Sequence, residues 1–426
     1  MIEGLLALLI ILFALLLTSA PIAVAMGLTS FIYFYFFTSI PLTQVPERLF
    51  NSLNAFPLMA IPFFIVAANL MSRGGISKRL IAASNALVGQ FRGGLAMTAV
   101  LACMFFAAIS GSSPATVVAV GTLIIPAMIK SGYGKDFSTG LVTTSGSLGI
   151  LIPPSIPLIV YGISTEQSIG DLFVAGIGPG IMAGIGLLIL AVVVSRRRNY
   201  GMGLQAIRMS KYERFTALRD ASLSLFLPLF VLGGIYTGIF TPTEAAAMAV
   251  FYALVVSIFV YKEIKLKDLP SILMASARTS SMVMFIVASG ILFSFVLTAE
   301  RIPGQVSEAL LASELTPVMF LIMVNVLLLV VGMFMETSSA ILILAPVLLP
   351  VAMELGVDPI HFGIIMVLNL EIGMMTPPLG LNLFVASGLT GMNILRVAKA
   401  CLPSVGVLLI ALVIVTFVPQ LSTFAL

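Results

Sequence analysis

Two proline pairs inside long apolar stretches constrain this chain more than any other feature of its sequence. Gly149 lies four residues before the pair Pro153-Pro154, and Gly373 lies four residues before Pro377-Pro378. Proline removes a backbone N–H, clashes with the preceding helical turn and pushes the residue before it towards extended geometry. Each stretch therefore predicts a helix that unwinds at the pair. In hydrocarbon, free backbone groups are tolerated only where they line a cavity or bind a ligand, so the two breaks are candidate binding regions.

The composition places these breaks inside a membrane. Of 426 residues, 60% are apolar and only 9% are charged, and the mean hydropathy is +1.18. We therefore expect an all-α polytopic membrane protein embedded in a lipid bilayer. The net charge of +4 comes from cations in short loops, which indicate membrane orientation and not nucleic-acid binding. Cys103 and Cys401 lie in apolar runs and predict small core residues.

The first half of the chain contains spans, an amphipathic stretch, a hairpin and a broken helix, in that order. Two spans divided at Pro21, or one span sharply broken there, and a further span at 54–72 precede the amphipathic stretch at 73–93. Two apolar runs then flank a cluster of small polar residues. Each run is short for a hydrocarbon core of about 30 Å, which predicts a re-entrant hairpin over 95–130. The broken helix follows over 137–161, and one further span completes this half.

The second half repeats this plan after a polar, basic linker. We divide the chain into a first repeat at 1–195, a cytoplasmic linker at 196–220 and a second repeat at 221–426. The segments of the second repeat include an amphipathic stretch at 299–314, a hairpin over 317–352 and a broken helix over 360–386. Each half thus has about five spans, one hairpin and one broken helix.

A constant offset relates the two halves. Gly149 recurs as Gly373 and Pro153 as Pro377, each 224 positions later (377 − 153 = 224). With this offset, the two hairpin tips also align without a gap. Because five crossings are an odd number, the two halves must have opposite orientations, which predicts an inverted structural repeat.

The distribution of charge gives an independent indication of orientation. If the basic linker is cytoplasmic, Lys and Arg collect on the cytoplasmic side, and Arg48 and Arg301 are the exceptions among 21 such residues. This is the positive-inside pattern. It predicts that both termini lie outside the cytoplasm, that the first hairpin enters from the cytoplasm and that the second enters from the opposite side.

The hairpin tips and the helix breaks supply the candidate site residues. Hydroxyl groups and unpaired carbonyls in hydrocarbon must find partners, and oxygen ligands suit a hard cation. The candidates are Ser112, Ser113, Thr116, Gly149 and Pro154 in the first copy, and Thr337, Ser338, Ser339, Gly373 and Pro378 in the second. The alternative is that these small residues merely allow helices to pack closely.

Glu336 and Glu371 are the only acids at the predicted membrane depth. An intramembrane carboxylate is costly, so each is a candidate to ligate a cation or to carry a proton. The alternative is a protonated or locally hydrogen-bonded Glu that fixes the hairpin. Asn382 follows the second proline pair and predicts either a substrate contact or an interhelical hydrogen bond. His361 stands alone at a helix start, which disfavours a metal site.

The sequence contains no enzyme constellation. It has no Gly-x-Ser-x-Gly elbow, no His-Glu-x-x-His motif and no Walker loop. We therefore expect a protein that is not an enzyme and that is not driven by ATP hydrolysis in this chain.

Four motifs together resemble the large membrane subunit of tripartite ATP-independent periplasmic (TRAP) transporters. They lie at 111–116, 149–154, 238–245 and 373–380, and the resemblance covers essentially the whole chain. It implies sodium-gradient-driven secondary import of an organic acid, such as a C4-dicarboxylate, another keto or sugar acid, or sialic acid. It also implies a periplasmic substrate-binding protein, a separate small four-helix membrane subunit, and a place in the bacterial inner membrane with both termini periplasmic.

The same resemblance implies roles for particular residues. Two or more Na⁺ ions would be held by Ser112, Ser113, Thr116, Gly149, Ile152 and Pro154 in a first site, and by Glu336, Thr337, Ser338, Gly373, Thr376 and Pro378 in a second. The substrate would lie near Ser113, Ser155, Ser338, Ser339 and Asn382. No Arg of the hairpins or broken helices is placed to bind its carboxylate, so hairpin helix N-termini and bound sodium are expected to take that role.

The resemblance further implies an elevator mechanism. A transport domain of about 95–161 plus 317–386 would move against a scaffold that includes the spans after each broken helix, and the stretches 73–93 and 299–314 would be connecting arms. Three alternatives remain: a binding-protein-independent sodium- or proton-coupled carboxylate carrier of similar architecture, a channel or intramembrane enzyme, and a purely structural membrane subunit.

Overall fold

The computed structural model describes residues 2–18, 20–38, 41–200, 210–311 and 316–424. Helices make up the regular structure of these residues. In the first half they are α1 (Ile2–Leu17), α2 (Ile22–Phe37), α3 (Gln44–Leu53), α4 (Ala60–Arg73), α5 (Ile76–Val88), α6 (Gly94–Ser110), α7 (Ser113–Lys130), α8 (Lys135–Gly146), α9 (Ile156–Thr165) and α10 (Ile169–Arg197). In the second half they are α11 (Lys211–Tyr236), α12 (Pro242–Val255), α13 (Leu269–Ala299), α14 (Ile302–Leu311), α15 (Pro317–Gly332), α16 (Thr337–Glu354), α17 (Pro359–Gly373), α18 (Leu381–Thr390), α19 (Ile394–Phe417) and α20 (Gln420–Thr423).

The all-helical, polytopic membrane class expected from composition is confirmed. Eight helical segments in the described ranges are long and apolar enough to cross a membrane. Both predicted hairpins form, from α6 with α7 and from α15 with α16, and both predicted broken helices form, from α8 with α9 and from α17 with α18. The second hairpin arms are longer than the apolar runs suggested, because α7 and α16 begin within the polar tips and continue through internal prolines.

The offset of 224 positions found in the sequence also separates equivalent helices in the structure. α7 and α16 each have 18 residues, and they begin at Ser113 and Thr337, 224 positions apart (337 − 113). α8 and α17 begin at Lys135 and Pro359, again 224 positions apart (359 − 135). Both proline pairs contain a cis peptide bond. The repeat in the sequence is therefore a repeat in the structure.

Helices of one half pack against the broken helix of the other half in a reciprocal pattern. α7 packs against α18, and its repeat equivalent α16 packs against α9. In the same way α19 packs against α8, and α10 packs against α17. Such exchanged pairs are what two halves related by a pseudo-two-fold axis require. This arrangement places both hairpin tips in the centre of the molecule; the opposite membrane orientation of the halves remains a prediction.

The amphipathic stretches form helices that connect two groups of helices. α5 packs against α11 on one side and against the hairpin helix α6 on the other. α14 packs against the hairpin helix α16 and against α13. These are the positions that connecting arms would occupy.

The spans after the broken helices, which we assigned to the scaffold, pack closely against the broken helices; the division into scaffold and transport domain remains a prediction. α10 carries Gly176 and Gly180 on one face, where the backbone of Leu151 and the side chain of Ile152 in the first break come too close for a Cβ. α19 packs against α8. Because small residues allow this close helix packing, α10 and α19 pack directly on the broken helices.

The basic linker is shorter than the sequence predicted. α10 continues to Arg197, and α11 begins at Lys211 and not near residue 221. A capping box starts α11 early: the backbone N–H of Ser210 donates to Glu213 Oε2 (2.6 Å), and the Glu213 N–H donates to Ser210 Oγ (3.2 Å). Residues 201–209 of the linker lie outside the described residues.

Candidate functional site

A cavity of about 370 Å³ lies where the two hairpin tips face α4 and α13. Both halves of the chain form its wall. Its polar lining residues are Asn69, Ser110, Ser112, Ser113, Thr279, Glu336, Thr337, Ser338 and Glu371. No Lys, Arg or His is among the described residues that line it. The cavity therefore offers hydroxyl, amide and carboxyl groups, but no positive side chain.

The first hairpin tip gathers oxygen atoms around a glycine. Gly111 adopts a left-handed conformation (φ +60°) and turns the chain from α6 into α7. The Thr116 hydroxyl donates to the Ser112 carbonyl (2.9 Å) and lies 2.8 Å from Ser110 Oγ. Gly149, in the first break, approaches Thr116 Oγ1 and the Ser112 carbonyl so closely that a Cβ would collide with both.

The carbonyl of Pro154 faces Gly111 at the same tip. Of the residues predicted for the first sodium site, the structure thus brings Ser112, Thr116, Gly149 and Pro154 together. The polar atoms that meet there are oxygens, the ligand type that a hard cation such as Na⁺ prefers; of these four residues, Ser112 lines the cavity. Ile152 turns its side chain towards Gly180 of α10, and Ser113 lies on the cavity wall.

Ser155, predicted as a substrate contact, is not on the cavity wall. It is fully buried. Its hydroxyl accepts a hydrogen bond from the Leu158 N–H (3.3 Å) and donates to the Ile150 carbonyl (2.5 Å). Ser155 therefore caps the N-terminus of α9, a role that leaves its hydroxyl no free hydrogen for a substrate.

The second hairpin tip is organised by a carboxylate. Glu336 is the N-cap of α16: its Oε2 accepts hydrogen bonds from the N–H (3.1 Å) and the hydroxyl (3.4 Å) of Ser339. Its Oε1 accepts one from Ser338 Oγ (2.9 Å). The geometry matches the interpretation that this Glu fixes the hairpin. Glu336, Thr337 and Ser338 also line the cavity, whereas Ser339, predicted as a substrate contact, is buried behind them.

The second break is not arranged like the first. Gly373 backs onto Gly332 at the end of α15, and the Thr376 hydroxyl donates to the Ile372 carbonyl (2.9 Å). The N–H groups of Leu379 and Gly380 both donate to the Met333 carbonyl (3.3 and 3.2 Å). These bonds hold the break against the end of α15.

Thr376 and Pro377 consequently line a separate pocket against α19. Gly373, Thr376 and Pro378, predicted for the second sodium site, are not on the wall of the central cavity. The part of that predicted site that faces the cavity is its tip, formed by Glu336, Thr337 and Ser338.

Asn382, for which the sequence predicted either a substrate contact or an interhelical hydrogen bond, makes hydrogen bonds that connect the two halves. Its amide nitrogen donates to Ser113 Oγ (3.1 Å) and to Glu371 Oε1 (2.7 Å). Asn382 is fully buried, and Glu371 is 1% exposed. Glu371 lines the cavity, and its Oε2 has no hydrogen-bond partner among the described residues. Of the residues predicted to contact substrate, Ser113 and Ser338 are the two on the wall.

Sequence reasoning missed Asn69 and Thr279, which lie on the cavity wall opposite the tips. The amide nitrogen of Asn69 in α4 donates to Ser276 Oγ in α13 (2.9 Å). A polar amide inside an otherwise apolar span was the available signal. His361 contacts Ser422 through Nδ1 (2.6 Å), as befits a packed core histidine.

Known proteins resemble this chain over nearly its whole length. A family model described as "Tripartite ATP-independent periplasmic transporter, DctM component" matches residues 9–421. The C4-dicarboxylate TRAP transporter large permease protein DctM of Rhodobacter capsulatus is 46% identical, over 97% of this chain and 96% of the relative. The isethionate TRAP transporter permease protein DctMQ of Oleidesulfovibrio alaskensis is 43% identical, over 96% of this chain and 64% of the relative.

More distant relatives extend the range of named substrates. The sialic acid TRAP transporter large permease protein SiaM of Vibrio cholerae is 33% identical, over 96% of this chain and 95% of the relative. Among solved structures, the YdaH transporter of Alcanivorax borkumensis aligns with a TM-score of 0.62 at 15% identity, over 89% of each chain. At that identity the likeness concerns the fold alone, which is that of a membrane transporter.

Proposed function

Since the chain belongs to the DctM component family of the tripartite ATP-independent periplasmic transporters, we propose that it imports a small organic acid by sodium-coupled transport. As a member of this family it is a multi-pass membrane permease subunit and not an enzyme. The observation that carries the proposal is the central cavity, whose wall combines both hairpin tips with α4 and α13. Secondary transporters bind substrate at such a junction of repeats.

C4-dicarboxylates are the proposed substrate class. The Rhodobacter capsulatus relative, whose name gives C4-dicarboxylate, is 46% identical to this chain, whereas the relative named for sialic acid is 33% identical. A cavity of about 370 Å³ is large enough for a four-carbon acid. The hydroxyls of Ser113 and Ser338 and the amide of Asn69 supply hydrogen-bonding groups on three sides.

Sodium is the proposed coupling ion. Ser112, Thr116, Gly149 and Pro154 would hold one ion at the first tip, and Glu336, Thr337 and Ser338 would hold another at the second. The bound ions would supply the positive charge that the lining residues lack. The N-termini of α7 and α16 begin at the tips, and their partial positive charge favours an anion between them.

The remaining proposals concern assembly and movement. The substrate would be delivered by a periplasmic binding protein, and a small membrane subunit would complete the transporter. The relative named DctMQ extends beyond the matched region, as a fusion of the two membrane subunits would. The hairpins and broken helices, with α10 and α19 packed on them, would move as a block in an elevator mechanism. The termini would be periplasmic and the basic linker cytoplasmic.

Transport in proteoliposomes tests this function. The chain would be reconstituted with its small subunit and binding protein, and uptake of radiolabelled succinate measured under an imposed sodium gradient or an imposed proton gradient. We expect uptake to follow the sodium gradient and to require the binding protein. Equal uptake with protons alone would contradict sodium coupling, and equal uptake without the binding protein would favour the independent carrier.

A further inference from the structure

One carboxyl oxygen on the cavity wall has no partner. Glu371 is 1% exposed, and its Oε1 accepts a hydrogen bond from the Asn382 amide (2.7 Å). Its Oε2 has none within the described residues. A buried charge without a partner is strongly disfavoured. A ligand that satisfies Oε2 is therefore expected in the working transporter.

The groups around this oxygen are rich in further oxygen ligands. Ser113, at the first tip, is joined to Glu371 through Asn382, whose amide donates to both Ser113 Oγ (3.1 Å) and Glu371 Oε1 (2.7 Å). Asn382 Oδ1 lies 3.4 Å from Ser113 Oγ. Glu336, at the second tip, lines the same cavity as Glu371. Two carboxyls with no basic residue among the described lining residues make this end of the cavity suitable for a cation.

A cation fits this unpartnered oxygen. Among the described residues no donor reaches Oε2, and a cation is a partner that leaves the carboxylate charged. It would be shared by Glu371 Oε2, Ser113 Oγ and Asn382 Oδ1. It would also lie between the Glu371 carboxylate and an acidic substrate, which would otherwise repel each other.

We propose that Glu371, Ser113 and Asn382 form a third Na⁺ site, which bridges the two halves and faces the substrate carboxylate. The proposal rests on the sodium-coupled function given above and adds one ion to the two tip sites. In this proposal, a Na⁺ ion held by Glu371 supplies the positive charge that neutralises the substrate carboxylate. The first half has no equivalent site: Ser147, 224 positions earlier (371 − 147), donates its hydroxyl to the Thr144 carbonyl (2.6 Å).

Binding of ²²Na⁺ to the purified complex of both membrane subunits tests the third site. We expect Glu371→Gln, which keeps the shape of the side chain, to bind one Na⁺ fewer per chain than the wild type at saturation. Glu371→Ser, which introduces the residue of the equivalent position, should give the same loss. Glu47→Gln is the matched control, because Glu47 is an exposed acid in α3, and should bind as many ions as the wild type.

An unchanged ion count in the two Glu371 variants would overturn the third site and leave sodium-coupled transport intact. Absence of ²²Na⁺ binding to the wild type would contradict sodium coupling itself, so the two failures are distinguishable. A second measurement needs no variant. The reversal potential of wild-type succinate transport gives the number of ions moved per substrate, which we expect to be at least three; a value of two overturns the third site.

Discussion

The two hairpin tips occupy equivalent positions in the repeat, yet they are built from different chemistry. At the first tip, neutral oxygens of Ser112 and Thr116 surround Gly149. At the second, the carboxylate of Glu336 caps α16, and the break is held against the end of α15 through the Met333 carbonyl. The repeat thus determines where the tips lie, and the side chains determine what each tip can bind.

The two halves therefore contribute different chemical groups to the cavity region. Under the proposed function, the first tip would provide an ion site of neutral oxygens that depends on the close approach of the Gly149 backbone. The second half contributes both carboxyls on the cavity wall, Glu336 and Glu371, which would attract cations into the cavity. The amide of Asn382 joins the two halves by contacting Ser113 and Glu371. The following predictions test this division, from the largest expected effect to the smallest.

Gly149→Ala should produce the largest loss of transport. A Cβ at this position would collide with Thr116 Oγ1 and the Ser112 carbonyl, so the oxygens of the first site would be forced apart. We expect sodium-driven uptake to fall at least about tenfold, which corresponds to roughly 1.4 kcal/mol. Gly406→Ala is the matched control, because a Cβ there meets nothing within 4 Å. Equal uptake in the two variants would mean that the approach of Gly149 is not required.

Asn382→Ala should weaken the connection between the halves. The change removes the amide that donates to Ser113 and Glu371, and it leaves a buried carboxyl with fewer partners. Such losses cost about 1–3 kcal/mol. Thermal unfolding of the purified complex should therefore show a lower midpoint, measured against Asn393→Ala, which loses a cap at the exposed start of α19. A midpoint equal to that of the control would contradict the bridging role.

Glu336→Ala should reduce transport less than the two changes above. Its effect on sodium dependence should still be larger than that of Ser112→Ala, the equivalent change at the first tip. Loss of an N-cap costs about 1 kcal/mol, and the half-saturating sodium concentration for uptake should rise. Ser112 is the equivalent residue, but its side chain makes no cap hydrogen bond. Ser112→Ala should therefore raise the half-saturating concentration less, since it keeps the backbone carbonyl. Equal shifts in the two variants would show that the tips do not differ as described.

The helix breaks, the hairpins and the repeat could be predicted from sequence because their causes are local. Proline pairs interrupt a helix wherever they occur, and a constant offset needs no knowledge of packing. The turn of the first tip was predictable for the same reason, because Ser110, Gly111, Ser112 and Ser113 form a run of small polar residues between two apolar runs.

The remaining features depend on tertiary packing. Nothing near Gly373 in the sequence indicates that it will rest on Gly332, so the position of the second break against α15 could not be predicted. The contact of Asn69 with Ser276 joins residues 207 positions apart. Ser155, by contrast, precedes Ile156-Pro157 at a helix start, and its capping role was accessible from local sequence.

A cryo-electron microscopy structure of the complete transporter in sodium and succinate tests the central claim most directly. We expect substrate density in the central cavity, in contact with Ser113 at the first tip and Ser338 at the second, with ion density between Thr116 and Gly149. Substrate density outside this cavity, or density that contacts one tip without the other, would contradict it.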